Sequence, residues 1–349
     1  MKTKTIKSVL LKKFNEWIES IKDEKVKELV ENNTIITGGC IPSMLLNEKP
    51  NDFDVYFRNK ETTKAVAQYY VNQWNKTHGK VKNKSGNLEE LYVVDGEDVK
   101  AWKEGKKKLQ EIASNHKYNI TYEDYKKSSE LNISHMITNT TEDRIKVIYP
   151  SDGVVSEETE LTTDEMLESL DDASEIDENV LEKLSEDETK EKYRPIFLTT
   201  NAISLSNKIQ IVIRFYGNPN EIHANYDFAH CCCYWDSKTR ELETPKDALL
   251  AILNKDLIYK GSKYPICSMI RSRKFIRRGW KINAGQYVKM AFQVSELDLK
   301  NVDVLEDQLV GIDTVYFLQI VRILREKQEK DTNFQFDGTY LSTIIDRIF

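Results

Sequence analysis

Asp52 and Asp54 stand two residues apart in the run Asn51-Asp52-Phe53-Asp54-Val55-Tyr56-Phe57. On a strand, residues i and i+2 project to the same face. Carboxylates that close repel one another unless a cation lies between them. An oxygen-only pair suits Mg²⁺, with Mn²⁺ as a substitute, because Mg²⁺ is bound through one or two carboxylates together with substrate phosphates. Metals held this way can activate an attacking oxygen and stabilise a leaving one in an in-line displacement at phosphorus. Upstream, Gly38-Gly39 closes the run Thr34-Ile35-Ile36-Thr37. Glycines at that point let backbone N–H groups approach phosphate oxygens with no Cβ in the way. A helix beginning at Cys40 or Ile41 would add the positive end of its dipole. The order is a phosphate cradle followed by a metal hook.

The stretch Gly38 to Asp54, GGCIPSMLLNEKPNDFD, resembles the first motif of the DNA polymerase β-like nucleotidyltransferase superfamily. It is most similar to the tRNA CCA-adding and bacterial poly(A) polymerase branch, whose pattern runs G-G-x-V-R-D-x-L-L-x-x-x-P-x-D-x-D. Both glycines, Leu45, Leu46, Pro50, Asp52 and Asp54 fall at that spacing, whereas Pro42-Ser43 replaces Arg-Asp and Cys40 replaces a frequent serine. The resemblance implies nucleotide contacts from Gly38, Gly39, Cys40 and Ser43. It also implies a third metal-binding carboxylate on a later strand, and Asp227 in NYDFAHCCCYWD is the candidate. The D-F of that segment is similar to nucleotidyltransferase-like proteins of large viruses and phages. In ICSMIRSRKFIRRGWKI, Arg271, Lys274, Phe275, Gly279 and Trp280 echo the helix that follows the catalytic domain in the CCA-adding branch. Arg271 and Lys274 are then expected at the nucleotide. Pro265 and Ser268 stand where that branch reads the base, so no base preference is carried over.

These residues need elements to position them. Val9, Leu10, Phe14, Trp17, Ile18 and Ile21 recur at helical spacing, and Val26 and Leu29 extend the pattern, so helices are expected before Asn32. The spacing then predicts strand, short helix, strand and helix, with Pro42 in the short helix's first turn and Lys60 to Lys76 forming the fourth element. Further strands are expected at Arg144 to Pro150, at Pro195 to Leu205, at Ile209 to Gly217 and across Ala224 to Trp235, where Asp227 would sit mid-strand. Glu221 and His223 read as a connection, and Asp236 as a turn residue. Past Pro245 the pattern is helical, including a stretch from Asp313 to Gln328.

The expected fold is therefore α/β (α+β). The N-terminal helices occupy 1–32, and a nucleotidyltransferase-fold catalytic domain with a mixed sheet occupies 33–244. Insertions fall at about 81–140 and 156–190, and a helical C-terminal domain occupies 245–349. Between Ser156 and Thr189 fifteen acidic residues face the single Lys183, while the rest of the chain is net basic. Five cysteines, three of them consecutive, form neither a disulfide framework nor paired C-x-x-C spacing, and they read as small packing residues. No apolar run approaches the roughly 20 residues that span a bilayer, and no signal-peptide core is present. A cytoplasmic protein is expected, in the host cytoplasm if viral.

The leading expectation is Mg²⁺-dependent transfer of NMP from an NTP to a hydroxyl acceptor, releasing pyrophosphate. Asp52, Asp54 and Asp227 would be the catalytic, metal-binding residues. The basic, aromatic-interleaved run from Arg271 to Lys281 suggests RNA as acceptor, with a tRNA 3′ end implied by the resemblance. Transfer onto a protein or small molecule, and a non-catalytic nucleic-acid-binding module, are the alternatives.

Overall fold

The computed structural model describes residues 1–82, 88–98, 144–148, 154–156, 191–199 and 201–301, with isolated positions 100, 101, 104, 304, 305 and 308. The acidic run 157–190, most of the lysine-rich insertion and the helical stretch expected at 313–328 lie outside the described residues.

The chain opens with α1 (Thr3–Ser20) and α2 (Glu24–Asn33), then β1 (Thr34–Thr37), α3 (Cys40–Leu45), β2 (Phe53–Phe57) and α4 (Lys60–His78). Short strands follow: β3 (Val81–Lys82), β4 (Leu88–Glu89), β5 (Tyr92–Val94), β6 (Lys146–Ile148) and β7 (Val154–Ser156). Next come β8 (Pro195–Thr199), β9 (Ala202–Leu205), β10 (Ile209–Tyr216), α5 (Pro219–His223), β11 (Tyr234–Asp236) and β12 (Leu242–Glu243). The last described helices are α6 (Lys246–Asn254), α7 (Pro265–Arg277) and α8 (Ala284–Ser295).

Eight strands form one mixed sheet in the order β12-β11-β1-β2-β10-β9-β8-β7. β1 runs antiparallel to both β2 and β11, β2 runs parallel to β10, and the strands beyond β10 are antiparallel. The mixed α/β class expected from the pattern is what forms. Alternation divides the residues of the central strands between two faces. Ile36, Phe53, Val55, Phe57, Ile209, Ile211 and Ile213 join the main core with α1, α2 and α4. Ile35 and Tyr56 face the other way, into a smaller cluster with Ile222, Val212, Tyr226 and Tyr234.

The helices form where sequence provides both a start and a stripe. Asp23 caps α2 by accepting from the backbone N–H groups of Lys25 and Val26, and Asn59 caps α4 by accepting from that of Thr62 at 2.8 Å. In α1, Ile6, Leu10, Phe14 and Trp17 share one buried face, and in α4 Val66, Tyr70, Val71 and Trp74 do. Trp17 is fully buried and its indole N–H donates to the Tyr70 hydroxyl at 2.7 Å, which joins α1 to α4.

The segment Ala224 to Trp235 departs from the expected strand. Residues Pro219–His223 form a short capped helix, Asp227 lies in a bend, and Ala229–Cys232 form a 3₁₀ turn before β11. The Asn218 side chain and Glu221 close a capping box on that helix, and beyond it the Ala229 N–H donates to the Ile258 carbonyl at 2.9 Å, so docking outside the sheet replaces the expected strand. Asp236, expected in a turn, is the buried end of β11 and pairs with Arg58. All five cysteines are free.

Truncating Trp17 to Ala should cost roughly 3–5 kcal/mol through the cavity it leaves. Urea unfolding of W17A checks this, with a loss below about 1 kcal/mol counting against the α1–α4 junction as a core element.

Candidate active site

Thr37, at the end of β1, pairs in register with Asp54 on β2, and Asp54 pairs on its other side with Gln210 on β10. Gln210 in turn pairs with Ser204 on β9. Paired residues of neighbouring strands share a face, so a polar row, Thr37–Asp54–Gln210–Ser204, crosses the sheet on the side away from α1 and α4. Ile35, Tyr56 and Val212 form the apolar ground beside it.

Gly38 follows Thr37 with φ +80°, a conformation that side chains rarely adopt. Its Cα lies directly against the Asp54 carboxylate. A Cβ built there would overlap Oδ2 and sit 3.0 Å from Cγ. The Gly38 N–H donates to the carbonyl of Cys231 at 3.3 Å. Gly39 has ordinary helical dihedrals, and nothing lies within 4 Å of the position a Cβ would take. The glycine pair therefore divides its labour: Gly38 makes room for Asp54, and Gly39 leaves open space over the turn.

Thr37 is fastened from behind. Its hydroxyl donates to the Cys233 carbonyl at 2.8 Å and lies 2.9 Å from Nε2 of His223. With the hydroxyl proton spent on Cys233, Nε2 carries hydrogen and donates to Thr37. Burial, with Lys260 adding repulsion, pulls His223 down to about 4. His223 also lines a cleft of about 280 Å³ with Asn220, Tyr226, Cys232, Asp247 and Lys260.

The expected site residues divide into those that meet and those that do not. Asp54 sits in β2, but Asp52 precedes the strand and is exposed, so the two are not successive same-face positions of one strand. Both still act on one place, since burial first and then Asp54 and Asp52 raise the Cys40 thiol. Cys40 is buried and its thiol donates to the Thr37 carbonyl at 3.3 Å, so it faces inward rather than toward a phosphate over the turn. Ser43 is also buried, and its hydroxyl accepts from Arg278 at 3.0 Å; the same guanidinium holds Glu48 at 3.0 Å. Both residues brace the turn, because the α3 face that bears them packs inward.

Asp227 is in the neighbourhood but not as a carboxylate awaiting metal. It is buried in its bend and ion-paired with Arg271 of α7. Burial first, and then the charges of Asp227 and Asp54 among others, raise the thiol of Cys231. Arg271 is near enough to offset part of the burial-driven rise of the Tyr56 phenol. Asp227 thus holds a guanidinium beside the Asp54 face. Lys274 is exposed on the same helix.

Among the described residues no group of three or more His, Cys, Asp or Glu side chains is placed to hold a metal ion. Asp52 and Asp54 are an oxygen-only pair, too few to enclose Mg²⁺ alone. They match the usual case in which protein supplies one or two carboxylates and substrate phosphates supply more. The donor set fits a cation whose coordination is completed by water and substrate phosphate.

Thr37 and Gln210 are not among the residues expected at the site, and His223 reads mainly as part of a connection. The signal for Gln210 was present, a single amide inside the apolar run Ile209 to Ile213. The partnership of Thr37 with His223 left none, because it spans 186 residues of chain.

Two substitutions separate the glycines. Gly38→Ala should lose more than about 1 kcal/mol by strain and overlap, whereas Gly39→Ala should leave unfolding by urea unchanged within about 0.5 kcal/mol. Equal losses would contradict the division of labour. Acid supplies another check. His223 is drawn to about 4 and His230, buried against Phe275 and Trp280, to about 3, both by burial first. Folded values below the unfolded value of about 6.5 mean full stability above that pH and progressive loss toward 4 and 3. His230→Phe should flatten the fall in urea midpoint between pH 6.5 and 4, and an unaltered slope would count against it.

The chain matches the model of the Gabija anti-defense 2 family over residues 8–255. A relative named Gabija anti-defense 2, from Bacillus phage SPbetaL7, is 21% identical over 130 residues, covering 37% of this chain. That alignment spans about a third of the relative's own length, 32%. No solved structure matches. The family match overturns the assignment to the DNA polymerase β-like nucleotidyltransferase superfamily and its CCA-adding branch. The resemblance rested on Gly38 to Asp54 and, more loosely, on the Asp227 segment and the Arg271 helix, short stretches that say little about the rest of a chain. With most of its length inside that family model, the chain belongs to the Gabija anti-defense 2 family.

Proposed function

We propose that this chain transfers a nucleotidyl group from an NTP to a hydroxyl acceptor, and that this reaction serves a role against the host defence for which its family is named. The observation that carries the reading is the contact of the Gly38 backbone with the Asp54 carboxylate. A left-handed glycine pressed on a carboxylate costs conformational freedom and crowds a charge. Such an arrangement is useful where a phosphate must come close to backbone and carboxylate together.

In this reading Asp52 and Asp54 hold Mg²⁺ or Mn²⁺ and, through it, the triphosphate. When bound, the cation supplies charge neutralisation at the phosphates and activation of the attacking oxygen. Gly39 admits the phosphates over the turn. Arg271, oriented by Asp227, offers a planar donor fork to a phosphate oxygen. The acceptor oxygen attacks the α-phosphorus, the bond to the bridging oxygen breaks, the hydroxyl proton goes to solvent, and pyrophosphate leaves. Arg273, Lys274 and Arg277 are exposed on α7 and suit a phosphate-bearing acceptor, which favours RNA. No helix among the described residues is long and apolar enough to cross a membrane, in keeping with action in the host cytoplasm.

The test is transfer of label from each α-³²P-NTP, with Mg²⁺ or Mn²⁺, to RNA, DNA and proteins of a host lysate. Labelled acceptor should form with the wild type. It should fall at least roughly 100-fold in Asp54→Ala, given that even outer-shell partners of metal ligands are worth 10–100-fold. Absence of label with every nucleotide and metal would overturn the reading.

A further inference from the structure

We propose that the side-chain amide of Gln210 supplies the third protein oxygen to the cation site of Asp52 and Asp54. The inference rests on the proposed function and names a ligand of that same site. Gln210 is the in-register neighbour of Asp54 across the parallel β2–β10 pair. Its neighbours Ile209 and Ile211 point into the main core. Alternation therefore turns Gln210 to the Asp54 face, where Val212, the next residue on that side of β10, packs with Tyr56.

Adjacent strands lie about 4.8 Å apart. A carboxylate and an amide on neighbouring strands can both reach a cation between them at about 2.0–2.1 Å from each oxygen.

Two other polar residues near Asp54 have partners elsewhere. Thr37 is bound to Cys233 and His223, and Asp227 is paired with Arg271. Gln210 is half-buried in an apolar strand, on the same face as Asp54. Charge points the same way. Two carboxylates and a neutral amide balance one divalent cation, whereas a third carboxylate in that row would leave uncompensated repulsion whenever the cation departs. The remaining coordination falls to water in the free protein and to phosphate oxygens once nucleotide binds.

The experiment is Mn²⁺ binding to the full chain, followed by loss of the free-ion EPR signal, without nucleotide. Wild type, Asp54→Ala, Gln210→Met and Gln210→Glu are compared. Met preserves the size of the side chain and removes its oxygen; Glu keeps the shape and adds charge. Saturable binding by the wild type should vanish in Asp54→Ala. It should weaken by roughly tenfold in Gln210→Met and tighten by roughly tenfold in Gln210→Glu, because affinity at such sites follows ligand number and charge. Wild-type binding lost in Asp54→Ala but altered less than twofold in both Gln210 variants would overturn the role of Gln210 alone. Binding that Asp54→Ala does not alter, or none at all in the wild type, would overturn both this inference and the metal-dependent reading beneath it.

Discussion

The close approach of Gly38 to Asp54 sets conditions that much of the surrounding structure satisfies. A carboxylate pressed against backbone at the edge of a turn must be presented from a strand that cannot slide. β2 meets that demand by lying between β1 and β10, with apolar side chains anchored in the core on its far face. A register slip of one residue would exchange Asp54 with Phe53 or Val55 and bury the charge. The hydrophobic pattern of β2 is thus also what aims the carboxylate. The turn itself is held by the Gly38 N–H on Cys231 and by the Thr37 hydroxyl on Cys233.

Around that contact, charged residues act as positioning devices more than as free reagents. Arg278 reaches from the end of α7 to Ser43 and Glu48, and Lys255 meets Glu48 at 3.0 Å. These links tie the loop that leads to Asp52 to the C-terminal helices. Asp227 does the same for Arg271. Because such pairs are partly sheltered, breaking one partner strands the other, and the two parts of the chain are coupled more tightly than surface ion pairs would allow. His230, wedged between Phe275 and Trp280, extends the coupling through packing.

Membership in the Gabija anti-defense 2 family and the proposal of a phosphoryl-transfer site are different kinds of statement. The first rests on most of the chain, and the second on a handful of side chains and one turn. Function resides in sites borne by folds, and similar equipment can recur in unrelated families. The chemistry proposed for the short motif at Gly38 to Asp54 therefore does not depend on the kinship that has been revised. A site with two carboxylates and an amide in place of three carboxylates would also depend more heavily on substrate phosphates for cation binding.

Sequence alone determined the elements with strong local signals. The stripes of α1 and α4, the strand–turn–helix–strand opening and the glycine pair before Asp54 all follow from periodicity and turn chemistry, which act within a few residues. It also set Asp54 on a strand, whereas Asp52 precedes that strand by one residue. Tertiary structure decided which residues share a surface. That Asp227 meets Arg271, that Thr37 meets His223 and that Gln210 lies beside Asp54 depends on pairings between positions far apart in the chain. Such pairings are fixed by strand order and packing, and no local window of sequence contains them. The 3₁₀ turn in place of a strand at Ala229–Cys232 has the same origin, since docking against α6 and the Ile258 carbonyl outweighs the β-propensity of that run.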